Sequence, residues 1–263
     1  MRGLFEGSAL RAVMVAGILT AGLGAAAPSL AHDPAHTDIE GVWMAFAVEP
    51  AGRLGALSAK LTDAAKEAVK KAAEEDGGPD APEAGWYCVG TGMPYMMPSL
   101  ASYPITIAQS PGFTLMVSEN ENQIRRIYTD GRDFPEDYPA TRAGYSIGHW
   151  DGETFVVETK NFKPWPMGGA PRSEAMTITE RFTMTSKDKV GVQASGFVAG
   201  IKPIDDRVLV DKMTITDSVY YQEPLNVTVY FEPLDDKDTL EYDCTADLWR
   251  QAVDAYKESK KKN

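Results

Sequence analysis

Histidine is scarce in this sequence: three residues in 263, two of which, His32 and His36, lie in the polar segment 32–38. A structural zinc site takes about four ligands, so we expect no preformed metal site. The sequence also lacks a glycine-rich phosphate loop before a helix and a Gly-x-Ser-x-Gly elbow. We therefore predict no cofactor, and any enzymatic activity would have to be cofactor-independent.

Basic residues are in deficit as well. Lys and Arg number 26 against 38 Asp and Glu, which gives a net charge of −12. Binding of nucleic acid requires basic patches that neutralise phosphates, and the tail KESKKKN is too short to reverse the overall field. The composition therefore excludes nucleic acid as a partner.

No apolar run reaches the roughly 20 residues that span a bilayer. The first residues instead have the pattern of a secretory signal peptide, with Arg2 and Arg11 around the start, the apolar run 12–23, and small residues up to Ala31. We predict a signal peptide at residues 1–31 and a periplasmic or secreted protein with no membrane insertion after its removal. An uncleaved anchor is the alternative. Removing two arginines and one glutamate would change the net charge from −12 to −13.

Cysteine occurs only twice, as Cys88 and Cys244. In an exported protein an even number of cysteines favours a disulfide, because the compartment is oxidising. We predict a Cys88–Cys244 bridge. A cysteine–histidine nucleophile is the alternative.

What the sequence does contain is a long series of strand-like segments. From residue 103 onward, short runs rich in β-branched and aromatic residues are separated mostly by Gly, Pro, Asn or Asp. With the run at 39–49 they make nine or ten strands without interleaved helices, which is typical of an antiparallel barrel or sandwich. Helix formers are concentrated at 61–76, where Thr62 is placed to cap a helix, and a second helix is predicted at 246–259.

These patterns predict one β-barrel domain over residues 39–250 with a helical insertion near 61–76. A flexible mature N-terminus at 32–38 would precede it. A helical end and basic tail at 251–263 would follow it.

Five motifs occur in a fixed order along the chain: YCVGTGMPYMMP, RRIYTDGRDFPED, AGYSIGHWDGETFVVETKNF, RSEAMTITERF and LEYDC. Together they resemble a widespread family of exported bacterial proteins of unassigned activity, over roughly residues 40–250. The triplet Gly41-Val42-Trp43 also resembles the opening motif of lipocalins. The resemblance implies a mainly β, lipocalin-like barrel and carries over no catalytic residue.

The segment GYSIGHWDGETFVVET places Asp151-Gly152 between two strand-like runs. This dipeptide favours a two-residue type I′ turn, in which both central residues need positive φ. A turn at 151–152 would pair Trp150 with Glu153, and every later pair follows by counting outward.

In that register Tyr145, His149 and Glu158 share one face of the hairpin. We expect this face to look into the barrel, with His149 near a rim. Because His149 and Glu158 would be separated by roughly 13 Å along the strands, a partner for the imidazole must come from another segment. Asp130, in the motif RRIYTDGRD, is the best candidate, since a carboxylate would fix the tautomer of His149 and raise its pKa.

Charged residues among apolar neighbours also point to the interior. Glu119, Glu158 and Glu180 are expected to face inward, and buried charges need partners, so we predict Arg126 as a partner among them.

Two functions fit these patterns. In the first, the barrel cavity binds a small, largely apolar or aromatic ligand; the predicted ligand-binding residues are Arg126, Tyr128, Arg132, Trp150, Glu119 and Glu180. In the second, the protein is a hydrolase, lyase or isomerase acting on such a molecule; the predicted catalytic residues are His149, Asp130, Tyr145 and Glu158. A structural alternative also stands, in which His149 is an ordinary strand-end residue, TDGRD is a tight turn, and the inward charges only fix strand register.

Overall fold

The computed structural model describes residues 36–50, 60–75, 90–97, 103–165, 170–192 and 202–235, together with residues 245, 251, 254 and 258. The chain divides into two units, Met1–Ala31 and His32–Asn263, and every described residue belongs to the second. The predicted signal peptide, both cysteines of the predicted disulfide and the run TLEYDC lie outside the described residues. Of the predicted C-terminal helix, Gln251, Asp254 and Glu258 are described, and they are helical.

Nine strands form a closed barrel in which each strand pairs with the next and the last pairs with the first. The strands are β1 (Gly41–Glu49), β2 (Ile105–Ser110), β3 (Phe113–Ser118), β4 (Gln123–Tyr128), β5 (Tyr145–Asp151), β6 (Thr154–Lys160), β7 (Thr177–Ser186), β8 (Arg207–Thr216) and β9 (Leu225–Leu234). Short 3₁₀ turns occupy Asn120–Asn122 and Lys187–Lys189. The prediction of a mainly β barrel is therefore confirmed.

The barrel is mixed, so the prediction of a purely antiparallel one was wrong. β4 and β5 pair in parallel, through Ile127 with Ser146 and Tyr128 with Ile147, and every other pairing is antiparallel. The reason is parity: in a closed ring of nine consecutive strands, direction cannot alternate throughout. The connection 129–144 contains no strand and carries the chain back before β5 begins. We call this short parallel junction of β4 with β5 the seam.

Alternation along the strands sends one set of side chains inward. The largest apolar side chains that the strands send into the interior are Trp43, Phe155, Phe182 and Phe231, each at most 1% exposed. The indole Nε1 of Trp43 donates to the carbonyl of Ile39 at 3.0 Å, so its polar atom is satisfied. Truncating one such aromatic side chain to alanine typically costs about 3–5 kcal/mol, so these rings are a major source of barrel stability.

The β5–β6 hairpin turns at Gly152-Glu153, so the predicted turn at 151–152 was wrong. Asp151 pairs with Thr154 and Trp150 with Phe155. Of the two central residues only Gly152 has positive φ, at 61°, which fits a type II′ turn with glycine at its first position. The pairing of β5 with β6 is shifted by two residues from the predicted pairing. Each face of the hairpin therefore keeps its predicted residues, but each residue lies opposite a different partner on the other strand.

One helix, α1 (Asp63–Glu75), lies within the segment predicted at 61–76. Thr62 caps it as predicted: its Oγ1 accepts from the backbone N–H of Ala65 at 3.2 Å and donates to the carbonyl of Val219 at 2.7 Å. The same threonine thus caps the helix and ties it to the loop between β8 and β9. Within the described ranges, none of the helices has the length and apolar character needed to cross a membrane.

Candidate functional site

A buried ion pair joins β4 to β7 inside the barrel. Arg125 Nη1 donates to Glu180 Oε1 at 2.8 Å, and Nη2 donates to Glu180 Oε2. Arg125 Nε donates to Ser146 Oγ at 3.1 Å, and Nη2 also donates to Thr159 Oγ1 at 2.8 Å. Both charged side chains are at most 1% exposed. The guanidinium is fully engaged by protein groups, so it acts as a structural cross-link.

Glu180 points inward, as the sequence predicted. Its partner, however, is Arg125 and not the predicted Arg126. Arg126 points outward, is exposed, and places its guanidinium 5.2 Å from the ring centroid of Phe113. Because Arg125 lies on the same face of β4 as Gln123 and Ile127, which are also buried, Arg125 is the residue that reaches the interior. Glu119 lies just beyond β3 and is half-buried.

A second carboxyl group, that of Asp211 on β8, is buried beside this pair. Neither of its oxygens has a hydrogen-bond partner among the described residues. Burial raises the pKa of Asp211 well above its usual range, and the neighbouring charge of Glu180 raises it further, while Arg125 opposes the shift. The carboxyl group is thus held toward its neutral form.

Tyr145, His149 and Glu158 share a face as predicted, but that face is the outside of the barrel. His149 is exposed, and its ring forms no hydrogen bond or ion pair with any described residue. Glu158 is also exposed and has only Lys160 nearby, at 3.9 Å. The prediction of an inward-facing His149 was wrong because the alternate residues of β5 are the ones that fit inside.

The packing around Gly148 shows why. A Cβ on Gly148 would lie 2.8 Å from Ile127 Cγ2 and from the ring of Phe155. The residue at this position on the inner face of the hairpin must therefore have no side chain. Trp150, predicted as a ligand-binding residue, is half-buried on the same inner face, and its ring stacks with His36 at a centroid distance of 5.0 Å.

On the outer face, Tyr145 is the centre of an aromatic cluster. Its ring centroid lies 5.0 Å from that of Tyr128, 4.6 Å from that of Tyr138 and 6.1 Å from that of Phe134. The guanidinium of Arg132 lies 3.9 Å above the ring of Tyr128, and its Nη1 is 3.5 Å from the Tyr145 hydroxyl. The neighbours bury Tyr145 although it points away from the barrel interior.

The prediction that Asp130 orients His149 was wrong, because Asp130 binds Arg132 instead. Arg132 Nε donates to Asp130 Oδ1 at 2.8 Å, and Nη2 donates to Oδ2 at 2.5 Å. This hydrogen bonding to Arg132 is the main reason the pKa of Asp130 is lowered. Gly131 between them has φ of 78°, so the segment is a tight turn that holds the arginine over the tyrosines.

The aromatic cluster borders a pocket at the seam with a volume of about 370 Å³. It is lined by Ile124, Arg125, Arg126, Tyr128, Tyr138, Thr141, Ala143, Gly144 and Tyr145. We call it the tyrosine pocket. Three of the residues predicted from the sequence as site residues, Arg126, Tyr128 and Tyr145, therefore line one cavity.

A second pocket of about 370 Å³ adjoins the first and shares Ile124, Thr141 and Ala143 with it. Its remaining lining residues are Gly90, Gly92, Gln123, Ala140, Arg142 and Lys163. We call it the cationic pocket, after Arg142 and Lys163. Within the part of the chain that the structure describes, no group of three or more His, Cys, Asp or Glu side chains could hold a metal ion.

Comparison of the sequence with models of known protein families finds no match, and neither does comparison with curated proteins.

Several residues of these sites were not predicted from the sequence. Asp211 has a recognisable signal, because Leu209, Met213 and Ile215 share its face and a carboxylate there interrupts an apolar stripe. The roles of Tyr138 and Arg142 have no such signal, since both lie in the irregular connection between β4 and β5.

Proposed function

We propose that the protein is an exported binding protein for a small aromatic molecule, and that the ligand occupies the tyrosine pocket on the outer side of the barrel at the seam. The observation that carries this proposal is the convergence of Arg126, Tyr128 and Tyr145 on one cavity. A barrel that serves as a scaffold for a small-molecule site is a common arrangement.

The pocket has suitable size and chemistry. Small-molecule sites usually have volumes of about 300–1,000 Å³ and combine apolar and aromatic walls with a few polar groups. Here Tyr128, Tyr138 and Tyr145 offer ring faces and edges, and Arg126 offers a guanidinium. Aromatic pairs contribute about 0.5–1.5 kcal/mol beyond the burial of their area, and a cation over a ring contributes about 0.5–1 kcal/mol at an exposed site. Such contacts favour aromatic ligands over aliphatic ones.

The proposed location outside the cytoplasm rests on the sequence. The first 31 residues have the charge and apolar pattern of a secretory signal, and the five motifs resemble an exported family.

A catalytic role for His149 has less support. General acid or base catalysis requires the group to be within about 2.6–3.2 Å of a reacting proton or of an orienting partner. His149 has no such partner among the described residues, it does not line the tyrosine pocket, and Asp130 is engaged by Arg132.

Titration calorimetry with naphthalenemethanol, a neutral two-ring probe, tests the proposal. We expect saturable binding to the wild-type protein. Tyr138→Ala and Arg126→Ala should each weaken it by about two- to tenfold, because each removes one ring or cation contact. Arg181→Ala is the matched control, since Arg181 is also an exposed arginine on an outward face but does not line the pocket.

Absence of saturable binding by the wild-type protein would contradict the proposal. So would equal binding by the wild-type, Tyr138→Ala and Arg126→Ala proteins, because the probe would then bind elsewhere.

A further inference from the structure

The cationic pocket is an anomaly in an acidic protein. The chain carries a net charge of −12, yet Arg142 and Lys163 line this cavity together with Gly90, Gly92 and Gln123. Opposite charges attract through such a cavity more strongly than through bulk water, since the protein walls lower the effective dielectric constant.

A third cation lies behind it. Arg172 is fully buried and donates to three backbone carbonyls, those of Lys163 at 2.9 Å, Thr91 at 2.8 Å and Met93 at 2.6 Å. No described carboxylate bonds to it, and its Nη2 has no partner among the described residues. Burial lowers the pKa of Arg172 to about 10. A buried guanidinium bonded only to carbonyls is costly, because dipoles compensate its charge incompletely.

Arg142 adds to this excess of positive charge. Its guanidinium lies 5.4 Å from the ring centroid of Trp165, while that of Arg172 lies 5.7 Å from the same ring. The proximity of Arg142 contributes to the lowered pKa of Arg172, after burial. Its Nε is buried and forms no hydrogen bond with any described residue. Nε is thus an unsatisfied buried donor, which adds to the cost of holding this guanidinium without an anion beside it.

Glu121 is a described acid beside this group, since the charge of Arg142 acts on its carboxyl group. Its Oε2 is buried without a described hydrogen-bond partner, and the backbone N–H of Thr91 donates to its carboxylate. Burial raises the pKa of Glu121 to about 7, against the opposing effects of that hydrogen bond and of Arg142. Near neutral pH, Glu121 is therefore only partly charged and neutralises the cations incompletely.

We propose that the cationic pocket binds a carboxylate group, and that the ligand of the protein is an aromatic carboxylate whose ring lies in the adjoining tyrosine pocket. This proposal rests on the proposed function, because it assigns the second half of the same ligand. The two cavities share Ile124, Thr141 and Ala143, so one molecule can extend from one to the other. Arg142 and Lys163, which both line the cationic pocket, supply the charge that attracts the carboxylate.

The test compares two probes of the same ring size, naphthoate and naphthalenemethanol, by titration calorimetry on the full chain. The wild-type protein should bind naphthoate at least about tenfold more tightly, because hydrogen bonds to charged groups are the stronger ones. Arg142→Gln and Lys163→Gln should remove most of this preference and leave the affinity for naphthalenemethanol unchanged. Lys163 is exposed, so its replacement should leave folding intact. Lys212→Gln, an exposed lysine on β8, is the matched control and should change neither affinity.

The pH dependence gives a second readout. The carboxylate of naphthoate stays ionised between pH 6 and 8, whereas Glu121 loses its proton across that range. Ionised Glu121 competes for Arg142, so the affinity for naphthoate should fall as pH rises through about 7. Glu121→Gln should abolish this fall, and the affinity for naphthalenemethanol should be flat in both proteins.

The outcomes separate the two proposals. Equal affinities of the wild-type protein for both probes would overturn the carboxylate site and leave the aromatic site standing. An undiminished preference for naphthoate in Arg142→Gln and Lys163→Gln would also overturn it, since the carboxylate would then bind elsewhere. If neither naphthoate nor naphthalenemethanol binds, the proposed function itself is overturned.

Discussion

Arg125 and Arg126 are neighbours in sequence and differ in almost every physical respect. Arg125 is 1% exposed and gives its donors to Glu180, Ser146 and Thr159. Arg126 is exposed on the other side of the same strand; both residues border the tyrosine pocket, but the side chain of Arg125 is buried. Two adjacent positions on one strand therefore hold an arginine that cross-links the barrel and an arginine whose side chain a ligand can reach.

The comparison extends to the whole wall around the seam. The inner face holds the satisfied ion pair, while Asp211 lacks a described hydrogen-bond partner. The outer face holds Tyr145 beneath other rings and leaves Arg126 open to solvent. Substitutions on the inner face should therefore change stability, and substitutions on the outer face should change binding more than stability.

The largest expected effect is that of Arg125→Met. It would leave Glu180 and Asp211 buried together without a cation, and breaking a buried pair typically costs about 3–5 kcal/mol. Urea unfolding should show this loss in the free energy of unfolding, whereas Arg126→Met, the adjacent outward residue, should change it by about 0.5 kcal/mol or less. Equal losses in the two variants would contradict the inner and outer assignment.

Gly148→Ala should give the next largest loss, about 1–3 kcal/mol, because its Cβ would be forced against Ile127 and Phe155. Gly191→Ala is a suitable control, since its Cβ would meet nothing within 4 Å. The same unfolding measurement compares them. A Gly148→Ala protein as stable as wild type would show that the inner face is not closely packed at this point.

Asp211→Asn should change the pH dependence of stability. Because burial raises the pKa of Asp211 above its ordinary value of 3.8, the folded protein keeps a proton that the unfolded chain releases as pH rises. The contribution of Asp211 to stability is thus fully present below pH 3.8 and is lost as pH rises toward its pKa in the folded protein. The variant should therefore gain stability relative to wild type as pH rises from 3.8 toward neutral. A constant difference across that range would contradict the buried, neutral carboxyl group.

Arg132→Ala should have the smallest effect on stability. The pair it forms with Asp130 is exposed, and solvent screens such pairs. We expect a change in the unfolding midpoint close to the measurement error. In the same protein the Tyr128 ring loses its covering guanidinium, so its tyrosine fluorescence should change. A large loss of stability would place this outer turn among the elements that hold the barrel together.

The strands could be predicted because their signal is local. β-branched and aromatic runs bounded by Gly, Pro, Asn and Asp correspond to β1 through β9. The capping role of Thr62 was equally local. The parallel seam could not be predicted in this way, because it follows from the number of strands that close the ring and not from any single segment.

The candidate site was only partly predictable for a related reason. Period-two alternation groups Tyr145, His149 and Glu158 correctly but leaves open which group faces inward. The sequence analysis assigned the wrong face to the interior, and the close packing around Gly148 shows which face lies inside. Arg142 and Tyr138 lie in irregular backbone, where periodicity carries no information.

The pairing of β1 with β9 has a consequence for synthesis of the chain. β1 begins at Gly41 and meets its second neighbour only when the chain has extended through Leu234. A product terminated before Leu225 would carry two unpaired strand edges, on β1 and β8, of the kind that template intermolecular association. The ribosome must therefore deliver the chain through Leu234 before the ring can shut, and stop codons before Leu225 should yield insoluble fragments.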